Sequence, residues 1–196
     1  MKRVVLSLCT IVFVITAAGA QTVWKLDKTH SNVDFTVTHF VISEVRGTFK
    51  EFDATLTSEK PDFGDMQVEA TIKTASIFTD NEKRDAHLRS NDFLNAEKYP
   101  DIKFKSTSVK KTGNDTFEIT GDLTIRDVTK PVVLHTMFKG TVDAFGGTRA
   151  AFKATTTIDR FEFGTTWDKT IESGGRIVGK DVNITLLLEF VKEKKS

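Results

Sequence analysis

Apolar and polar residues alternate with period two along most of this chain, and no other feature constrains its fold as tightly. That period marks strands with one face buried. Val33, Phe35, Val37 and His39 fall on one face, with Asn32, Asp34, Thr36 and Thr38 on the other. Met66, Val68, Ala70 and Ile72 alternate with Gln67, Glu69, Thr71 and Lys73, and Ile102 and Phe104 with Lys103 and Lys105. Phe117, Ile119, Gly121, Leu123 and Ile125 oppose Glu118, Thr120, Asp122 and Thr124. Val182, Ile184, Leu186, Leu188 and Phe190 form the last such run.

Three stretches are less regular. Between Gly47 and Thr57 the apolar phase switches from Phe49 to Phe52, Ala54 and Leu56, which predicts a bulge near Lys50-Glu51 within one strand. Over Pro131–Val142, Val132, Leu134 and Phe138 share a face but Val133 and Met137 do not. Phe152, Ala154 and Ile158 face away from Lys153, Thr155 and Thr157. Turn residues separate the runs at Gly113-Asn114-Asp115, Gly146-Gly147 and Gly174-Gly175. The result is about eight strands in an antiparallel meander, closing as an up-and-down barrel or stacking as a sandwich. One segment breaks the pattern. Thr79 and Glu82 stand at capping-box spacing and predict a short helix, with Arg84, His87 and Leu88 on one face. It falls between the third and fourth predicted strands.

Residues 1–20 read as a secretory signal peptide. Lys2 and Arg3 precede an apolar run from Val4 to Ile15, and Ala18 and Ala20 supply the small residues for cleavage after Ala20. A run of about a dozen residues is short for a membrane span of roughly 20, and no later run reaches that length. Leu8 precedes the lone Cys9, which argues against lipidation. A periplasmic or secreted chain spanning 21–196 as a single domain is expected. It would carry no cysteine, so its stability rests on packing and strand pairing.

The first twenty residues hold two basic residues and no acidic ones, which leaves 26 Lys and Arg against 27 Asp and Glu. That balance gives no electrostatic case for nucleic acid. Phe occurs 16 times and Tyr once, so the chain carries apolar volume with little hydrogen-bonding demand. The phenylalanines either fill a core or line a ligand cavity; periodicity does not choose between these. His30, His39, His87 and His135 show no metal-ligand spacing. There is no nucleophile elbow, catalytic cysteine or phosphate loop. No cofactor or metal is expected, and nothing in the residues argues for catalysis.

Trp24, Asp27, His30-Ser31, Phe35, Val37, His39, Gly47 and Phe49 resemble the opening of the YceI-like family of exported polyisoprenoid-binding proteins. Thr79, Arg84-Asp85, His87-Leu88, Asp92-Phe93 and Tyr99-Pro100 resemble its central segment. Gly121 to Ile125 with Val128 to Val132, then Arg160, Phe161, Phe163 and Gly164, and finally Val178 to Val182, continue the likeness. Arg126-Asp127 departs from the glycine-containing turn of many members. Thr165 to Gly175 is a variable stretch in which Trp167 is apolar enough to close a cavity mouth.

The resemblance implies an all-β, eight-stranded, lipocalin-like barrel. Its ligand would be a long-tailed apolar lipid: a polyisoprenoid, an isoprenoid quinone, or a fatty amide or acid. On strand phase, Phe35, Phe49, Phe104, Leu123, Phe138 and Phe152 are the expected tail contacts, with Arg84, His87 and His39 at the polar end. The alternatives are a lipid- or quinone-linked enzyme using His39 or His87, and a structural stress-response envelope protein with a dry core. Oligomeric state is left open, a homodimer among the options.

Overall fold

The computed structural model describes residues 21–194; the predicted signal segment lies outside them. Eleven strands form one antiparallel sheet. They are β1 (Thr22–Leu26), β2 (Asn32–His39), β3 (Ser43–Phe49), β4 (Phe52–Ser58), β5 (Gln67–Lys73), β6 (Ile77–Phe78), β7 (Asp101–Lys111), β8 (Thr116–Ile125), β9 (Val128–Ala144), β10 (Gly147–Asp159) and β11 (Val178–Lys192). The ladder runs β1-β4-β5-β7-β8-β9-β10-β11, and β1 pairs back onto β11. This closes an eight-stranded antiparallel barrel, so the choice between barrel and sandwich falls to the barrel. Closure gives each stave a neighbour on both sides, with unpaired edges confined to two seams.

Three of the eight staves are broken in two. β1 and β2 lie end to end along β11, with Leu26 opposite Phe190 and Asn32 opposite Leu187. β3 pairs with β2 while β4 pairs with β1, and β6 pairs with β3 while β5 pairs with β4. The phase switch at Lys50-Glu51 is therefore not a bulge. It is a corner between two strands, and the adjacent stave turns at the same level. There the Lys50 N–H donates to Ser76 O and the Lys73 N–H to Glu51 O. True register shifts occur at Ser106/Ser108 and at Ala151/Phe152.

Beyond the corner β6 does not reach β7. Helix α1 (Glu82–Arg89) and residues 90–99 fill that part of the wall. Arg89 fastens the helix by donating to Ala75 O and Ile77 O. The N-cap is Asn81, whose side chain accepts from the Arg84 N–H at 3.0 Å. The expected capping box at Thr79 does not form, because the Thr79 N–H and hydroxyl both donate to the buried Asp85. A second seam lies between β9 and β10, whose ladder stops at His135–Thr155. A 3-10 turn, Arg160–Phe163, follows β10 and buries Phe163 in the cluster of Ile102, Leu123, Ile125 and Ile158. Gly164 ends this turn at φ 75°, a left-handed conformation that a Cβ would strain. Among the described residues, no helix is long and apolar enough to cross a membrane.

At the junction of β1 and β2, Arg149 of β10 donates at 2.7 Å to both Asp27 and Glu189. Asp27 also accepts from the Thr29 N–H and pairs with His30. The His30 and Arg149 hydrogen bonds hold the Asp27 carboxyl down at about 2, against an ordinary 3.8. A carboxylate lowered on folding stabilises the fold above its unfolded value and loses that contribution as pH falls through the folded one. Asp27→Asn should therefore cost about 1–2 kcal/mol at neutral pH, after discounting for solvent screening. The cost should shrink toward zero between about pH 4 and pH 2. Urea unfolding of both proteins across that range checks it; a pH-independent difference would contradict the assignment.

Candidate functional site

The period-two alternation turns one face of every stave inward, and those faces do not meet. They line a cavity of about 220 Å³ whose wall is almost wholly hydrocarbon. One ring of the wall reads Ala54, Ala70, Phe104 and Leu123 across β4, β5, β7 and β8. The two alanines keep the centre open.

Two glycines do the same by a different route. A Cβ on Gly47 would stand 2.3 Å from the Phe35 ring, and one on Gly121 would stand 2.4 Å from the Phe104 ring. The tips of both rings therefore occupy the space that a side chain at the glycine of the neighbouring strand would take.

One end is sealed. Phe63, on the loop joining β4 to β5, is 1 % exposed and points into the barrel. Its ring lies 5.3 Å from Trp24, 5.1 Å from Phe138 and 5.2 Å from Phe152. Asp65 holds the loop in shape by accepting from the Ser58 hydroxyl and from the Glu59 and Lys60 N–H groups. Period-two reading passed over Phe63 because it lies between strands. The local signal is its flanking by loop-forming Asp62, Gly64 and Asp65.

The other end is covered by Leu88, Phe93, Leu94 and Phe163, all of which contribute to the cavity wall. Trp167 packs outside them, 5.6 Å from Phe93 and 5.7 Å from His87.

Of the residues singled out in the sequence, Phe35, Phe49, Phe104, Leu123 and Phe152 line the cavity. Phe138 stands behind the wall, in the aromatic plug with Phe63 and Phe152. His39 lies at the rim opposite Ser43 and Val178. Arg84 turns back to donate to Thr79 O and its hydroxyl oxygen. His87 pairs with Asp92 at 2.9 Å and stacks edge-on against Phe93. These three are not part of the cavity wall.

Among the described residues, three charged ones border the cavity: Asp34, Asp53 and Arg160, the last 6 % exposed. Arg160 donates to the carbonyls of Val178, Gly179 and Trp167 and to the Thr165 hydroxyl. Burial lowers its pKa from the ordinary guanidinium value, and the field of Asp168 opposes that shift.

The sequence matches the YceI-like domain over residues 24–190. The chain belongs to the YceI-like family. A UPF0312 protein of Pseudomonas putida is 41 % identical over 176 residues, covering 87 % of each chain. The crystal structure of the Campylobacter jejuni YCEI protein is 33 % identical and superposes with a TM-score of 0.67, over 87 % of this chain and 97 % of that one. A polyisoprenoid binding domain from Saccharophagus degradans, implicated in plant cell wall breakdown, gives a TM-score of 0.65 over 87 % and 98 % of the two chains. At 12 % identity that likeness carries the YceI-like fold alone.

Proposed function

We propose that this protein is exported to the periplasm or beyond and holds one long-tailed apolar lipid in its barrel, without transforming it. The cavity carries the reading: a space with hydrocarbon walls disfavours polar ligands, which would lose their hydrogen bonds with water and find none inside. The polyisoprenoid ligand named for the Saccharophagus degradans domain, on the same fold, supports it. A water-sized group needs about 10–15 Å³ of cavity, so a cavity of about 220 Å³ takes a tail of roughly 15–20 carbons.

Burial of each methylene contributes about 0.8 kcal/mol. Such a tail gains roughly 12–16 kcal/mol gross, against association and ordering costs of about 4–15 kcal/mol. Affinity would come from the tail, with Phe35, Phe49, Phe104, Leu123 and Phe152 in contact with it. The head group would only modulate it, so tails of similar length should compete.

Titration with geranylgeraniol should saturate at one molecule per chain. His39→Ala and His87→Ala should keep most of that affinity, since neither ring lines the cavity. No saturable binding would overturn the proposal; loss of a turnover reaction in either variant would favour an enzyme.

A further inference from the structure

Arg160 is a buried cation that, among the described residues, makes no direct ion pair; Asp159 and Asp168 act on it only through their field. Asp159 is held by Lys180 at 3.1 Å and Asp168 by Arg176 at 3.0 Å. No carboxylate among the described residues pairs with Arg160 itself. A guanidinium cannot escape burial by losing its proton at any ordinary pH. Carbonyl dipoles offset part of the desolvation cost but leave the net charge standing. Four of its five N–H groups are committed to protein acceptors, which leaves one Nη2–H free.

Its position sharpens the point. Arg160 follows the last residue of β10, eight residues beyond Phe152 in the plug. At about 3.3 Å per residue it stands roughly 26 Å along the strand from the sealed end. Asp34 and Asp53, which also border the cavity, lie on the outward phase of their strands, and Asp53 pairs with Lys28 at the surface. A tail whose far end meets the plug thus brings its head to the one cation of the wall among the described residues.

We infer that the lipid held here carries an anionic oxygen head group, a carboxylate or a phosphate monoester, and that Arg160 receives it. The inference rests on the lipid-holding function proposed above. It moves the polar end from His39, Arg84 and His87, which lie outside the wall, to Arg160.

Two matched pairs of probes test it: oleate against oleamide, and geranylgeranyl phosphate against geranylgeraniol. Tails are identical within each pair. The wild type should bind each anion about tenfold to a hundredfold tighter than its neutral partner, the range of a charge-assisted hydrogen bond. Arg160→Gln should erase the preference within each pair, whatever its effect on overall affinity; Arg160→Lys should keep part of it.

Equal affinities within both pairs would overturn this inference and leave lipid holding intact. Failure of all four probes to bind would remove both. A preference that survives in folded Arg160→Gln would exclude Arg160 as the receptor. Because that variant loses four hydrogen bonds, a wild-type measurement stands beside it. Nuclear Overhauser contacts should link the Arg160 guanidinium protons to the C2 methylene of bound oleate. Contacts only to the far methyl would overturn the orientation.

Discussion

Ala70→Phe should leave a folded barrel that no longer loads lipid. Ala70 sits mid-cavity, between Ala54 and Phe104 in one ring of the wall, and faces the open channel. A phenyl ring there occupies space that a tail would fill. Displacing about five methylenes forfeits about 4 kcal/mol, roughly a thousandfold in Kd. The fold should tolerate the change, because the ring enters existing space and does not force its way into packed side chains. Stability should stay within about 1.5 kcal/mol of the wild type. Titration with geranylgeraniol and urea unfolding of the same preparation separate the two effects. Wild-type affinity in the folded variant would show that the tail does not run past β5.

Phe63→Ala should have the opposite pair of effects, a large loss of stability with binding retained. Phe63 touches Trp24, Phe138 and Phe152. Truncating a buried phenylalanine costs about 3–5 kcal/mol, the sum of lost transfer energy and the cavity left behind. Phe63 packs behind Phe152, which lines the cavity, so the space it vacates should let the channel deepen at its sealed end. Longer tails should then be accepted, and the preferred length in a series of prenyl alcohols should shift upward. Calorimetric unfolding and competition within that series check both halves. A loss under about 1 kcal/mol, or an unchanged length preference, would mean that Phe63 is not the floor of the cavity.

The contrast between these two residues also shows what the sequence could reveal. Ala70 belongs to an alternating run, Met66 to Ile72, and period two alone turned it inward. The same holds for Phe35, Phe104, Leu123 and Phe152. Phe63 belongs to no such run; its side chain is aimed by a loop shaped by Asp65 and by short-range backbone hydrogen bonds. Arg160 continues the phase of Phe152, Ala154 and Ile158, but as a charged residue just past the strand it adds no apolar signal. The broken staves were hidden for a related reason. A phase switch at Lys50-Glu51 fits a bulge or a corner equally well, and only the partner strands decide. Arg84 and His87 stay out of the cavity wall because they share a helix face whose inward member is Leu88, while Arg84 is drawn back by Thr79. That a cavity exists at all was not legible in the alternation. It depends on small residues at Ala54, Ala70, Gly47 and Gly121 coinciding across strands, which only register reveals.

The central claim is that one lipid tail occupies the barrel. Its most direct test is to purify the protein from its native host under non-denaturing conditions, extract it with organic solvent and identify the extract by mass spectrometry. The account predicts close to one long-chain lipid per barrel, with a tail of roughly 15–20 carbons and an acidic head, and its loss in Ala70→Phe prepared in parallel. An empty extract from wild-type protein that also fails to take up added lipid would contradict it.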